Sequence, residues 1–310
     1  MSILAIFNPE HDLCLANGNR HYVPPASALR FAEEGAWMMR ALYDCTTATA
    51  ATAGRHYKMM ADKGQPATQI VAWGWDKVLK EQLLKQGIPP HLLPSDHAID
   101  TIRSLSHRTT VLPLQHEAVI CTSASEVADY LQRHRRTVLK APLSGSGRGL
   151  RWIDHTLSDN DRHWIAKTAA EQGCVVAEPR YEVVQDFAIE LTMDDSGVHD
   201  RGDYSLFETQ NGVYRGNRML YDDEIEQRLS QYIAPTQLHQ ARKEVARWIA
   251  AHLATYRGPI GVDMFIYRDD SYHLNPCVEI NLRHTMGMVA HSLLQQHSEL
   301  HGTLWKPMPN

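Results

Sequence analysis

Near residue 140 the chain changes its hydrophobic period, and that change restricts the fold more than any other feature. Before it, short strand-like runs alternate with helix-like ones: SILAIF, then ASALRFAEEGAWMMRALY as one helix, then TQIVAWG and the helical DKVLKEQLLKQG. Such alternation predicts an α/β layer with parallel strands. Three prolines in IPPHLLPSD interrupt it, and a helix (HAIDTIRSL), a strand (AVICT), a helix capped by Ser125 (SEVADYLQRH) and the strand TVLK follow. Beyond these come LRWI, the helix NDRHWIAKTAAEQG and the strand CVVAEP. Longer strands succeed them, EVVQDFAIELTM, DYSLFET and GVYRGNRML, with DDSGVHDRGD as a turn-rich link between the first two. Two helices come next, DDEIEQRLSQYI and PTQLHQARKEVARWIAAHLATY, the second aligning Val245, Trp248, Ile249, Leu253 and Tyr256 on one face. The expected fold class is α/β followed by α+β, in at least two domains and without an internal repeat.

Of the 310 residues, 43% are hydrophobic and 22% charged, which supports a sizeable core and leaves no tract suited to long disorder. A net charge of −5 argues against general affinity for nucleic acid. The basic run Arg133, His134, Arg135, Arg136 falls where a helix ends and a strand begins, a position the helix dipole favours. Five cysteines, odd in number and widely spaced, fit a reduced, cytoplasmic protein. ILAIF is too short for a signal core and no segment approaches a membrane span, so neither a targeting segment nor a membrane partner is expected. Eighteen histidines without an HExxH spacing give no support to zinc catalysis.

In TVLKAPLSGSGRGLRWI, residues 137–153, Lys140 closes one apolar run and Gly145, Gly147 and Gly149 occupy alternate positions before the next. An ordinary hairpin turn accounts for this pattern. So does a loop lying over a phosphate chain, because glycine permits the backbone angles and close approach that such a cover needs. The dinucleotide-binding turn is a poor match, since Leu150 replaces the third glycine and a strand follows. A Walker loop needs lysine and Ser/Thr after the last glycine, and a protein-kinase loop has its lysine after the glycines rather than before.

GPIGVDMFIYRDDSYHLNPCVEINLRHTMG, residues 258–287, reads as an antiparallel hairpin about the turn Arg268–Ser271. Val262, Met264 and Ile266 alternate with Gly261, Asp263 and Phe265, while Val278, Ile280 and Leu282 alternate with Cys277, Glu279 and Asn281. Asp263 and Glu279 have the same parity, so they face together only across an odd loop or a bulge, which Pro276 would favour. Two carboxylates and an amide oxygen on one face suit Mg²⁺; the same pattern also suits a solvated sheet face. Arg283 continues that face, either as a fork for a phosphate or carboxylate or in a surface ion pair.

Taken in order, the lysine before a glycine loop, the Glu-Pro strand and the Asp…Glu-x-Asn hairpin resemble the ATP-grasp superfamily over residues 105 to 290. The resemblance implies an ATP-grasp-like fold: an N-terminal α/β domain (1–104), a small lobe with the glycine loop (105–180) and a large lobe with the metal-binding hairpin (181–310). It implies ATP and Mg²⁺, or Mn²⁺, as cofactors. Lys140 resembles the lysine on the α- and β-phosphates, and Ser144, Gly145, Ser146, Gly147 and Gly149 the lid. Glu178, Pro179 and Arg180 resemble the interlobe hinge beside adenine, and Asp186 the acid on the ribose, although a solvated strand position reads equally well. Asp263, Glu279 and Asn281 resemble the metal ligands, and Arg283 the basic residue at the transferred phosphoryl group. The chain departs from the family in having Lys-Ala-Pro for Lys-Pro; Arg108 is the candidate for the upstream basic residue.

FNPEHDLCLANGN follows the first strand, and in the family this domain helps bind the acceptor, which makes Asn8, Glu10 and His11 candidate substrate residues; turn and cap chemistry explains them as well. The implied activity is an ADP-forming carboxylate-amine, or carboxylate-thiol, ligase acting through an acyl phosphate. A small-molecule kinase on the same site and a nucleotide-binding protein without turnover are the alternatives. The partners are small-molecule carboxylates and amines, and a homodimer is compatible with the reading.

Overall fold

Three sheets organise the computed structural model, which describes residues 3–43, 67–145, 149–210 and 212–307. In the first, β1 (Ile3–Ile6) and β2 (Gln69–Ala72) run parallel with Ile3 opposite Gln69. Helices α1 (His11–Asn17), α2 (Ala26–Gly35) and α3 (Met38–Leu42) precede β2, and α4 (Lys77–Lys85) follows it. The helix expected across residues 26–43 is thus two. Its break falls at Gly35, where a Cβ would lie 2.5 Å from the Phe7 ring and 2.6 Å from Met38 Cε. Close packing fixes glycine there, and glycine is a poor helix former.

A capped helix, α5 (Asp96–Leu105), and a 3-10 segment, Arg108–Leu114, lead to the second sheet. It comprises β3 (Val119–Cys121), β4 (Arg136–Lys140), β5 (Leu150–Asp154) and β6 (Val175–Pro179), antiparallel in the order β3-β6-β4-β5. Helices α6 (Ala124–Arg133) and α7 (Asp159–Gln172) bury Val127, Leu131 and Ile165 against Leu139 and Val175. The cap of α6 is Ser123, whose Oγ accepts from the Glu126 amide at 3.3 Å, and not Ser125, which lies inside the first turn. Only the residue at the junction can turn its side chain back on the free amides.

The third sheet has the order β11-β10-β7-β8-β9-β12. Its strands are β7 (Glu182–Asp194), β8 (Gly197–Gln210), β9 (Val213–Arg218), β10 (Gly258–Arg268), β11 (Tyr272–Asn281) and β12 (Leu304–Trp305). The link expected at residues 194–203 shrinks to Asp195 and Ser196. Gly197 onward pairs with β7, and Asp194 Oδ1 closes the turn by accepting from the Ser196 amide at 2.7 Å. Helices α8 (Asp222–Leu229) and α9 (Pro235–His252) cover one face of the sheet. There Phe187, Ile189, Leu191, Val262 and Met264 pack with Val245, Ile249 and Leu253. Leu253 and Tyr256 lie past the end of α9 yet stay buried.

Helix α10 (Met286–Gln296) packs Val289 and Leu293 into one cluster with Phe7, Met38 and Met39, so the C-terminal helix joins the first layer to the large sheet. The alternate face of that sheet, away from α9, carries Asp186, Ala188, Glu190, Gly261, Asp263, Glu279 and Asn281. No helix among the described residues is long and apolar enough to cross a membrane.

Candidate active site

Lys140 is the last residue of β4 and sits opposite Leu150, so the glycine loop joins two paired strands. The loop closes through the Ala141 amide, which donates to the Gly149 carbonyl at 2.8 Å. A Cβ on Gly149 would come within 2.4 Å of the Ser144 side chain, and one on Gly145 within 2.7 Å of Asp12. Ser146 and Gly147 lie outside the described residues. The Lys140 ammonium pairs with Glu178, and both side chains are buried. Arg180 follows Pro179 with its guanidinium 5.2 Å from the Trp152 ring centre. These groups and Asp186 line a cavity of about 610 Å³ between the second and third sheets. Asp186 accepts from Thr209 Oγ1 at 2.7 Å, and burial raises its carboxyl above the usual range despite that bond.

Arg108 reaches the same region from the 3-10 segment. Its guanidinium donates to the Ala141 carbonyl at 2.5 Å, to Ser144 Oγ at 2.7 Å and to Glu279 Oε2 at 2.6 Å. One buried side chain therefore ties the start of the glycine loop to the acidic hairpin.

Three residues, Asp269 to Ser271, turn the hairpin between Arg268 and its partner Tyr272. Further along, Asp263 faces Glu279 while Phe265 faces Asn275, so two residues of β10 run against four of β11. The odd loop keeps both carboxylates on one face, and the irregularity around Pro276 brings them opposite each other. Asn281 follows on that face and hydrogen-bonds Asp263. Burial, then the nearby Glu279, push the Asp263 carboxyl up to about 7. Asp263 has no ion-pair partner among the described residues. Two carboxylates and an amide oxygen, one of the acids raised by burial beside the other, form a donor set that fits Mg²⁺.

Arg283 grips Asp12 through two hydrogen bonds of 2.9 Å and donates to the His284 carbonyl at 3.1 Å. Burial alone would lower its pKa, but Asp12, together with the nearby Glu279 and Asp263 carboxylates, outweighs burial and raises it. The same pairing holds Asp12 below the usual carboxylate range against its own burial.

The acceptor-side candidates Asn8, Glu10 and His11 sit at or just before the start of α1. Asn8 Nδ2 donates to the Gly74 carbonyl at 2.7 Å and to Asp76 Oδ2 at 3.1 Å. The His11 ring fills the space that a Cβ on Gly74 would take. None of Asn8, His11 and Glu10 lines either of the two cavities beside the hairpin; Asn8 and His11 meet Gly74 and Asp76 at the joint between the first layer's loops, and Glu10 stands at the start of α1. Helical geometry presents Asp12 instead. FNPEHDLCLANGN is largely helix because α1 begins at His11.

A second cavity of about 480 Å³ adjoins the first and shares Arg108, Asp263 and Glu279 with it. Asp12, Arg283, Ser205, Thr285 and Glu190 also line it. The sequence reading missed Glu190, although the alternation in EVVQDFAIELTM puts it on the face of Asp186. Burial pushes its carboxyl up to about 7. A separate cluster beside α10 sets His291 Nε2 at 3.1 Å from Asp222 and 3.8 Å from Asp203.

No family model matches the sequence, and no curated protein matches it. Solved structures do share its architecture. N5-carboxyaminoimidazole synthetase from Staphylococcus aureus, complexed with ADP, is similar over 100% of this chain and 79% of its own at 14% identity, with a TM-score of 0.52. D-alanyl-alanine synthetase A from Vibrio cholerae is similar over 96% of both chains at 13% identity, with a TM-score of 0.51. D-cycloserine synthetase is similar over 95% of this chain and 99% of its own at 14% identity, also with a TM-score of 0.51. With two cavities meeting at a lysine-bearing glycine loop and an acidic hairpin, and with these likenesses, the chain has the ATP-grasp fold.

Proposed function

We propose that the chain is an ATP-dependent, ADP-forming ligase that activates a carboxylate as an acyl phosphate and transfers the acyl group to an amine or thiol. The observation that carries this reading is the common wall. Arg108, Asp263 and Glu279 border both the cavity of Lys140 and the cavity of Arg283, so a phosphoryl group could pass between them without leaving the protein. ADP in the Staphylococcus aureus structure supports a nucleotide in the first cavity.

In this reading the Trp152 and Phe265 surfaces and the Glu178–Arg180 backbone receive the base, and Asp186 accepts from the ribose hydroxyls. Lys140 offsets phosphate charge, and the glycine loop excludes water. Mg²⁺, or Mn²⁺, held by Asp263, Glu279 and Asn281 would supply charge neutralisation on the β- and γ-phosphates. Arg283 and Arg108 orient the substrate carboxylate, whose oxygen attacks the γ-phosphorus while ADP departs. The nucleophile then attacks the acyl carbon and phosphate leaves. The protein's contribution is positioning and fixed charge.

We further propose the division at 1–104, 105–180 and 181–310, supported by the placement of one sheet in each. Helix α10 crosses it by packing on the first layer. The four described cysteines, Cys14, Cys121, Cys174 and Cys277, are buried thiols, which supports a reducing, cytoplasmic setting.

Calorimetry of ATP with and without Mg²⁺ tests the reading on wild type, Lys140→Ala and Glu279→Ala. Binding is expected in wild type, weakened at least tenfold by the lysine change and no longer enhanced by Mg²⁺ after the glutamate change. Hydroxylamine with a carboxylate panel should yield hydroxamate and ADP. Absence of ATP binding under every metal condition overturns the proposal, and a stable phosphorylated alcohol would indicate a kinase.

A further inference from the structure

The strand face that carries Asp186 continues to Glu190, four residues and about 13 Å further along β7. Glu190 is only 5% exposed, yet it borders the second cavity. Its two oxygens differ. Oε1 accepts from Thr285 Oγ1 at 2.9 Å and from Ser205 Oγ at 3.0 Å. Oε2 is buried and has no hydrogen-bond partner among the described residues. Glycines make the space around it: a Cβ on Gly261 would lie 3.2 Å from Oε2, and one on Gly287 would lie 2.1 Å from Oε1.

A structural role explains half of this arrangement. Thr285 caps α10 by accepting from the Met288 amide at 3.1 Å and donates a hydrogen bond from its own hydroxyl to Oε1. A glutamine oxygen would accept that hydrogen bond equally well, so anchoring α10 requires neither the charge nor the second oxygen. Leaving a carboxylate oxygen buried and unmatched is costly, which singles out a group that arrives from outside.

Three kinds of visitor can be compared. An anion is repelled by Glu190 and by Asp263 on the neighbouring strand. A divalent cation requires several oxygens, but the Ser205 and Thr285 hydroxyls already turn their protons to Oε1, and Asp263 lies one side-chain row away, about 7 Å along the sheet. An ammonium group needs a single strong acceptor and brings its own donors. His291 does not fill the role from within, since its Nε2 is engaged with Asp222.

We propose that Glu190 is the specificity residue for a protonated nitrogen, so that the second cavity takes a small substrate bearing an ammonium group docked on Oε2. The inference rests on the ligase reading only for the consequence of that binding; the binding itself requires no turnover. It limits the substrate class to amino compounds whose anionic groups, if present, point toward Arg283 and Arg108.

The test titrates ethanolamine, glycine, β-alanine and lysine into the full-length protein by calorimetry, each beside its N-acetyl counterpart, with and without Mg·ATP. At least one amine should bind wild type, and its acetylated form at least tenfold more weakly. Glu190→Gln retains the bond to Thr285 and should lose amine affinity tenfold or more while Mg·ATP affinity stays within twofold. Glu190→Asp, which withdraws the carboxylate, should weaken the amine to an intermediate degree. Equal amine binding in wild type and Glu190→Gln overturns the proposal, as does no binding of any of these amines at tens of millimolar. So does a divalent-ion site, seen with Mg²⁺ alone, that disappears in Glu190→Gln. Amine binding that depends on Glu190 without any ATP binding would sustain this inference and sink the ligase reading.

Discussion

Lys140 and Glu190 are both buried charges on the walls of adjoining cavities, but among the described residues one has its counter-charge and the other does not. Lys140 meets Glu178, just as Arg108 meets Glu279 and Arg283 meets Asp12. These pairs fix the geometry of the resting molecule, since each side chain has a defined partner and direction. Glu190 and Asp263 are in no ion pair among the described residues, and burial drives both carboxyls up to about 7. Paired charges describe what the protein is built around, whereas unmatched carboxylates describe what has to arrive.

Breaking a pair should produce the largest effect. Lys140→Met leaves Glu178 buried without positive charge, and urea denaturation should show a loss of about 3–5 kcal/mol. Adding Glu178→Leu should recover most of it. A loss below about 1 kcal/mol would mean that water reaches the pair, and the contrast with Glu190 would collapse.

Glu190 should behave in the opposite sense. Its folded carboxyl titrates at about 7 against an ordinary value of 4.5. At pH 4 both states hold the proton and the residue costs nothing. Between pH 4.5 and 7 the unfolded chain releases its proton while the folded chain keeps it, so stability falls. Above pH 7 the full penalty, about 3 kcal/mol, is present. Glu190→Gln should therefore be more stable than wild type by up to that amount at pH 8 and equal to it near pH 4, as denaturation at several pH values will show. A gain that does not vary with pH would contradict the argument.

Gly287→Ala gives the smallest effect and sharpens the comparison locally. The new methyl would meet Glu190 Oε1 and the Ser205 side chain, at a cost of about 1–3 kcal/mol. A double-mutant cycle with Glu190→Ala should recover a large part of that cost. Additive losses would place the crowding elsewhere.

Legibility followed the range of the forces involved. The core demands an apolar residue at every second position, so the parity of Val262, Met264 and Ile280 made the opposite placement of Asp263, Glu279 and Asn281 readable, and RDDS showed where the chain turns. Arg108 meets Glu279 across 171 positions of sequence, and no local pattern encodes that encounter. Asp12 depended on a helix start that reads as a polar loop. Glu190 could be read from its parity with Asp186, but Ile189 and Leu191 on either side make the segment look like continuous core. Gly35 interrupts a helical period that otherwise continues, for a reason visible only in the position of the Phe7 ring. The polar segment 197–203 looked like a link because His199 to Gly202 are exposed and Val198 alone in it packs on the core.

The six-stranded sheet has one further property, in how its two outer strands end. The two residues of β12 pair with Arg218 and Asn217 of β9, and at the other side the Gln115 side chain donates to the carbonyls of Cys277 and Val278 at 2.8 and 2.9 Å. The run of free backbone groups is thus interrupted on β9 and on β11. A sheet with open flanks invites strands from other molecules and seeds aggregation, and these contacts shorten the stretch of β9 and of β11 that an incoming strand could pair with.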